Sequence, residues 1–316
     1  MSSSETSIFQ LPPGLKMAVF IGLSGISLIL GGMISFSIAA ALLHIPFSGL
    51  QSALLLPQNA SIAQFANALA SIIAFGLPGI VVAFFSKNTL VSELGFARIK
   101  NFNQIGLVVL IAITGLFLSG ALGDLTEKIP IPIALRNWAT QMEGQYKKAL
   151  YAMTQMKSVL DLLFAIIAVA VVPAIVEELF FRGYLIQGLS QIFKNGIIPL
   201  MISSLLFGLA HMSNPEVQKF GWSIMLSYYV IFALFMGCIT FLDEGLELAI
   251  GIHFANNMIS GLLVSTRDSV LKPYSILETK NENPYLELIC WFFMAGLTFL
   301  VFVKKYKWNN FNLLIK

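Results

Sequence analysis

Charged residues are scarce in this chain: they make up 11% of its 316 residues, whereas hydrophobic residues make up 57%. A soluble domain carries about 25% charged residues, so the composition argues against an ordinary soluble fold. The net charge of +3 is small and scattered, and no nucleic-acid partner is expected. Cysteine is also rare, and both Cys238 and Cys290 lie inside apolar runs, which gives no sign of a disulfide framework.

Long apolar stretches are what the sequence has instead. A helix needs roughly 20 apolar residues to cross a bilayer, and a bilayer selects helices or closed barrels because it leaves backbone groups no water to bond. The sequence therefore predicts an all-α fold, a polytopic transmembrane helical bundle of about eight spans. The candidate spans are 17–43, 62–86, 104–123, 158–180, 195–212, 222–242, 247–265 and 286–303.

The chain divides into three predicted regions. Residues 1–157 hold the N-terminal membrane spans and an interfacial loop, residues 158–265 form a membrane core, and residues 266–316 contribute a loop and the last span. The apolar part of the first span is longer than the roughly 7–15 residues of a signal-peptide core, so we interpret it as retained. We expect an integral, multi-pass protein of a bacterial plasma membrane.

Ionisable residues within spans are costly, so each one is a functional candidate. Glu177 and Glu178 are adjacent carboxylates in the fourth span, and Arg182 follows four residues after Glu178. Residues four apart share a helix face, which predicts that Arg182 neutralises Glu178. Glu177 projects about 100° away around the helix, so it stays free to act on a proton. A structural ion cluster at the membrane interface is the competing interpretation.

Two further polar clusters lie in the fifth and seventh spans. His211 ends the run Phe207-Gly208-Leu209-Ala210-His211, and His253 precedes Asn257 by four residues, which places both on one helix face. Only three histidines exist in the chain, and the third, His44, is interpreted as interfacial. A single histidine near a helix end is more often structural than catalytic, but the concentration of two in these clusters favours a shared site.

Together these motifs resemble those of the CAAX protease and bacteriocin-processing (CPBP, or Abi) family of intramembrane proteases. The matching pattern is Glu-Glu-x-x-x-Arg at 177–182, Phe-x-x-x-His at 207–211 and His-x-x-x-Asn at 253–257, in the family's order and spacing. The resemblance covers roughly residues 155–265. It implies an intramembrane endopeptidase acting on a membrane-associated protein or peptide.

The resemblance implies roles for six residues. In the interpretation we favour, Glu177 assisted by His211 activates a water molecule, His253 and Asn257 stabilise the oxyanion, and Glu178 with Arg182 supports the helix geometry. No cofactor is required by this metal-independent glutamate mechanism. His211 and His253, with either Glu177 or Glu178, could also hold a divalent metal such as zinc, which would make the chain a metalloprotease, although no His-Glu-x-x-His signature is present.

Other classes of function fit the composition less well. Buried Glu, His and Arg also build proton relays in transporters, but the sequence shows no inverted repeat or paired broken helices. A non-catalytic membrane partner or immunity protein is the stronger alternative, and the intact motif set argues against it. The oligomeric state and the substrate's lipidation are not indicated by any residue pattern.

Overall fold

The structure, a computed structural model, describes residues 12–84, 158–212 and 229–258, two short strands after them and isolated positions elsewhere. Its described part is a helical membrane bundle, as the composition predicts. Three helices are long and apolar enough to cross a membrane: Pro13–Leu42, Pro57–Ala83 and Val159–Ile192.

The elements are labelled in chain order. The helices are α1 (Pro13–Leu42), α2 (Leu50–Leu54), α3 (Ala60–Ser71), α4 (Leu77–Phe84), α5 (Val159–Ala165), α6 (Val172–Glu178), α7 (Gln187–Ile192), α8 (Ile197–Ala210), α9 (Ile231–Asp243) and α10 (Glu247–Met258), and the strands are β1 (Val264–Thr266) and β2 (Leu277–Thr279). Single turns of 3-10 helix cover Phe47–Gly49 and Pro57–Asn59. Wider π-helical stretches join neighbouring helices at Ile72–Gly76, Ile166–Val171 and Leu179–Ile186.

The continuous rod Val159–Ile192, called the motif helix below, carries the first polar cluster. It begins at a Ser158 cap, whose hydroxyl accepts a hydrogen bond from the backbone N–H of Asp161 at 3.2 Å. Pro173 has no N–H and would break a regular helix. The π-helical stretch Ile166–Val171 directly before it shifts the hydrogen-bond pattern, so the rod continues through the proline.

The second π-helical stretch of the motif helix, Leu179–Ile186, begins directly after the paired carboxylates. It packs against α8, and the Ser203 hydroxyl of α8 donates to the Phe181 carbonyl at 2.9 Å. A π-helical turn breaks the i→i−4 ladder, and this hydrogen bond gives one of its carbonyls a partner. The α8 helix then ends at Ala210, which leaves His211 at its C-terminal cap.

The motif helix lies at the centre of the described bundle. The α10 helix packs against α6, α9 packs against both α8 and α10, and α1 packs against α3, α4 and α7. Close approach of α1 requires glycine, because a Cβ at Gly31 would lie 2.9 Å from the Ala70 carbonyl oxygen. The large side chains Leu28, Ile29 and Met33 of α1 point outward, as expected for a lipid-facing surface.

The predicted spans correspond to helices wherever the structure describes them, with one correction. The first, second and fourth appear as the three long helices, and the fifth and sixth as the shorter α8 and α9. The seventh, predicted over 247–265, is wrong at its end: Val264–Thr266 is a strand that pairs in parallel with Leu277–Thr279. The β-branched side chains of Val264 and Thr266 favour a pleated backbone over a helix.

Several predictions lie outside the described residues. They are the third and eighth spans, at 104–123 and 286–303, and the interfacial segment 124–157, in which only isolated positions are described. The division into three regions stays a prediction.

Candidate active site

Glu178 and Arg182 form a fully buried ion pair. Arg182 Nη1 donates to Glu178 Oε1 at 3.0 Å, and the two side chains are 1% and 0% exposed. Arg182 Nη2 donates to the Ala233 carbonyl of α9 at 3.3 Å, and the guanidinium lies 4.6 Å from the centre of the Phe207 ring. The predicted pairing is therefore present, and it also connects the motif helix to α8 and α9.

Glu178 also holds the imidazole of His253. The same Oε1 atom lies 2.8 Å from His253 Nδ1. Because Glu178 already accepts from Arg182 and acts as a carboxylate, His253 Nδ1 must carry the proton and donate. The pairing joins α10 to the motif helix, and it leaves His253 Nε2 as the ring nitrogen that faces the remaining site residues.

Glu177 faces the two histidines rather than the ion pair. Its Oε2 atom lies 3.7 Å from His211 Nε2 and 3.9 Å from His253 Nε2. These separations exceed hydrogen-bond distance, and Glu177 Oε2 is a buried atom without a hydrogen-bond partner among the residues that the structure describes. The two glutamates thus have different surroundings, because they diverge around the helix as predicted.

His211 is held at the end of α8 by its own helix. Its Nδ1 lies 2.7 Å from the Phe207 carbonyl, which can only accept, so Nδ1 carries the proton and Nε2 faces Glu177. The imidazole also lies against the Phe207 ring, with centroids 4.3 Å apart. Both histidines therefore use Nδ1 on a protein acceptor and present Nε2 to the same carboxylate oxygen.

The two asparagines of α10 are placed differently. Asn256 is buried at 9% exposure, whereas Asn257 is partly exposed. The structure thus brings Glu177, His211 and His253 together around one oxygen.

Aromatic residues surround the polar cluster, and sequence reasoning assigned them no role. Phe207, which the sequence marks only as the first position of the Phe-x-x-x-His motif, contacts the rings of both His211 and His253. Phe232 lies edge-on to His253, with centroids 5.5 Å apart, and Tyr229 stacks on His211 at 4.4 Å. No sequence pattern marks Phe232 or Tyr229 as a site residue. They reach the two histidines only because α9 packs against α8 and α10.

The donor set Glu177, His211 and His253 has the chemistry of a zinc site but not its spacing. Ligands about 2.0–2.1 Å from a tetrahedral zinc lie about 3.3 Å from one another, and here the carboxylate oxygen is 3.7 and 3.9 Å from the two nitrogens. Within the described part of the chain, no group of three His, Cys, Asp or Glu residues is arranged to hold a metal ion.

Part of the chain matches a known protein family. Residues 159–259 match the family described as type II CAAX prenyl endopeptidase Rce1-like. Over these residues, called the Rce1-like core below, the chain is similar to that family. This Rce1-like core includes every candidate site residue, from Glu177 to Asn257, and the match confirms the resemblance to the CPBP family that the motifs predict.

One curated relative aligns with part of the chain. The chain is 32% identical over 128 residues to the uncharacterized protein YyaK of Bacillus subtilis (strain 168). The alignment covers 40% of this chain and 42% of that protein, so less than half of the relative is spanned. No solved structure matches the chain.

Proposed function

We propose that the chain is an intramembrane endopeptidase that hydrolyses a peptide bond in a membrane-associated protein or peptide. One observation carries the proposal: the buried Glu177 Oε2 atom faces the Nε2 atoms of both His211 and His253 at 3.7 and 3.9 Å. A carboxylate between two imidazoles with fixed orientation suits general acid–base chemistry on a water molecule. The Rce1-like core, whose family is described by an endopeptidase activity, supports the reaction class.

Glu177 and His211 act together on the attacking water. At 3.7 Å, Glu177 Oε2 and His211 Nε2 are close enough for one water molecule, about 2.8 Å from each atom, to bridge them. Both atoms accept hydrogen bonds when His211 is neutral, so the water donates to both and directs a lone pair toward the substrate carbonyl. The water oxygen bonds to the carbonyl carbon as its proton passes to Glu177 and the carbonyl π electrons move onto oxygen. The oxyanion then re-forms the C=O bond as the C–N bond breaks, and Glu177 delivers its proton to the leaving amine.

Charge balance supports a donor role for His253. Glu177, Glu178 and Arg182 are all buried, and with both carboxylates ionised they sum to one negative charge. Uncompensated buried charge is costly, and protonated His253 neutralises the cluster. Its Nδ1–H pairs with Glu178 at 2.8 Å, as a carboxylate supports an imidazolium in serine hydrolases. The Nε2–H is then available to the oxyanion.

Asn257 is proposed to supply the second oxyanion donor. It lies one turn after His253 on α10, and its partial exposure leaves the amide accessible to a substrate. Donors aimed at the developing charge act mainly in the transition state. Glu178 and Arg182 touch no reacting atom in this scheme, and they hold His253 and α9 in place.

A zinc-dependent reaction is the alternative for the same residues. Histidines that bind metals usually donate their other nitrogen to a carboxylate or backbone carbonyl, as His211 and His253 do here. The ligand spacing disfavours this alternative, so the proposed scheme uses no metal and derives no step through one.

Purified protein in lipid nanodiscs tests the proposal. Peptides ending in a prenylated cysteine motif, their unlipidated counterparts and a transmembrane-segment peptide are incubated with wild-type protein and with Glu177→Ala, and cleavage is read by mass spectrometry. We expect cleavage of at least one membrane-partitioning peptide by wild type and none by the variant. Equal cleavage by both samples, or no cleavage of these peptides or of any protein in a native membrane extract, would refute the proposal.

A further inference from the structure

The imidazole of His211 lies against two aromatic rings. The Phe207 ring is tilted at 31° with centroids 4.3 Å apart, and the Tyr229 ring is near-parallel at 26° with centroids 4.4 Å apart. The Phe207 and Tyr229 centroids are 6.4 Å apart, so the two rings meet the imidazole from adjacent directions rather than from opposite faces. Phe207 belongs to the sequence motif, but Tyr229 precedes α9 and belongs to none.

Tyr229 is in turn held to the segment that follows His211. Its hydroxyl oxygen accepts a hydrogen bond from the Asn214 side-chain amide at 2.8 Å. The Asn214 backbone N–H donates to the His211 carbonyl at 2.9 Å. Backbone bond, amide–hydroxyl bond and ring stack therefore form a closed loop through His211, Asn214 and Tyr229. Tyr229 is 7% exposed, so the stack is shielded from solvent and lipid.

These contacts with Asn214 and Tyr229 matter because His211 lies just after the end of its helix. The α8 helix ends at Ala210, and His211 adopts φ −94° and ψ 6° at the cap, where its backbone N–H donates to the Gly208 carbonyl at 3.1 Å. This bond holds the backbone of His211 but leaves the orientation of its ring to side-chain contacts. The Nδ1 bond to the Phe207 carbonyl sets the direction of the ring within its plane. Stacking on the Tyr229 ring, together with contact with the tilted Phe207 ring, restricts rotation of the imidazole plane. Both constraints are needed to keep Nε2 directed at Glu177.

We propose that Tyr229 and Asn214 are positioning residues that hold the His211 imidazole in the plane required for its approach to Glu177. The expected effect on kcat rests on the proposed hydrolase function, but the expected effect on the orientation of His211 does not. Tyr229 supplies a ring face, and Asn214 fixes the tyrosine by its hydroxyl. Neither residue contacts the reacting atoms.

Kinetics of four variants test the kinetic consequence. Tyr229→Leu removes the ring, and it should lower kcat by about 2- to 10-fold, the range of an aromatic pair, with KM unchanged. Tyr229→Phe keeps the ring and should restore most of that loss. Asn214→Ala removes the other partner of the Tyr229 hydroxyl and should also lower kcat. Combined with Tyr229→Phe, it should cost less than the product of the two single losses, because both substitutions break the same hydrogen bond.

Phe20→Leu is the matched control for lost aromatic packing. Phe20 is 1% exposed and stacks on Tyr184 with centroids 4.8 Å apart, in the contact between α1 and the motif helix. Phe20→Leu should lower the melting temperature as Tyr229→Leu does and leave kcat unchanged. Equal kcat losses in both leucine variants would overturn the positioning role, since general destabilisation would then explain the effect.

Chemical modification of His211 provides a readout that needs no activity. Diethyl pyrocarbonate acylates accessible neutral imidazoles, and the exposed His44 at the end of α1 serves as the internal reference. Tyr229→Leu should raise the His211/His44 ratio of modification several-fold, while Tyr229→Phe leaves it unchanged. An unchanged ratio in Tyr229→Leu would overturn the proposal. A raised ratio in a protein that cleaves nothing would retain the positioning of His211 and reject the proposed hydrolysis.

Discussion

Removing the charge of Glu178 should lower the stability of the protein, because Glu178 supports buried partners and contacts no reacting atom. Glu178 Oε1 accepts from Arg182 at 3.0 Å and from His253 at 2.8 Å, and the side chain is 0% exposed. Glu178→Gln keeps the shape and one acceptor oxygen but leaves the buried Arg182 without a counter-ion. Breaking a buried pair by removing one partner costs roughly 3–5 kcal/mol, and we expect that loss in the free energy of unfolding.

Replacing Arg182 as well distinguishes this electrostatic cost from a loss of packing. In Glu178→Gln/Arg182→Met both charges are gone, and uncharged replacements of buried pairs are often neutral, so most stability should return. Turnover should not return, because His253 Nδ1 would face a neutral amide oxygen. In serine hydrolases, replacing the carboxylate that orients the histidine by an amide costs on the order of 10⁴-fold in kcat.

Reversible unfolding in mixed detergent–SDS micelles, followed by circular dichroism, measures both variants. Glu244→Gln, at an exposed position between α9 and α10, is the control for losing a carboxylate. Glu178→Gln as stable as wild type would refute the reasoning, and so would a double variant less stable than Glu178→Gln.

Three further predictions concern the surroundings of the site. Ser203→Ala should lower the free energy of unfolding by about 1–3 kcal/mol, because the Phe181 carbonyl in the π-helical stretch loses its buried partner; thermal melts would show no shift if the bond were dispensable. Asn257→Ala should lower kcat about 10²- to 10³-fold with little change in KM, whereas a dominant effect on KM would make Asn257 a substrate-binding residue. Phenanthroline should leave peptide cleavage intact, and inhibition reversed by stoichiometric zinc would establish the metal alternative.

Local spacing was enough to predict the contacts made along one helix. Glu178 and Arg182 are four residues apart, so their pairing follows from helix geometry alone, and the divergence of Glu177 follows in the same way. The convergence of the motif helix, α8 and α10 was implied by the family resemblance, because hydropathy alone predicts spans without predicting which of them meet.

Contacts between distant segments could not be predicted. The hydrogen bond from Arg182 to the Ala233 carbonyl spans 51 positions, and no side-chain pattern marks a backbone acceptor. Tyr229 carries no signal either, since its role arises from how α9 packs on α8. The choice of ring nitrogen on His253 depends on Glu178, 75 positions away. Hydropathy also extended the seventh span to residue 265, into the strand Val264–Thr266, because hydropathy does not distinguish a helix from a strand at the end of a short apolar run.

The most direct test of the account is the turnover of Glu177→Gln under saturating substrate, measured beside its unfolding free energy and substrate affinity. The amide retains the size of Glu177 and leaves the Glu178–Arg182 pair intact, but it cannot take a proton from water. We expect stability and affinity close to wild type, with kcat lower by about 10²- to 10⁴-fold, the contribution of a general base. Turnover within a few-fold of wild type in a folded Glu177→Gln protein would contradict it.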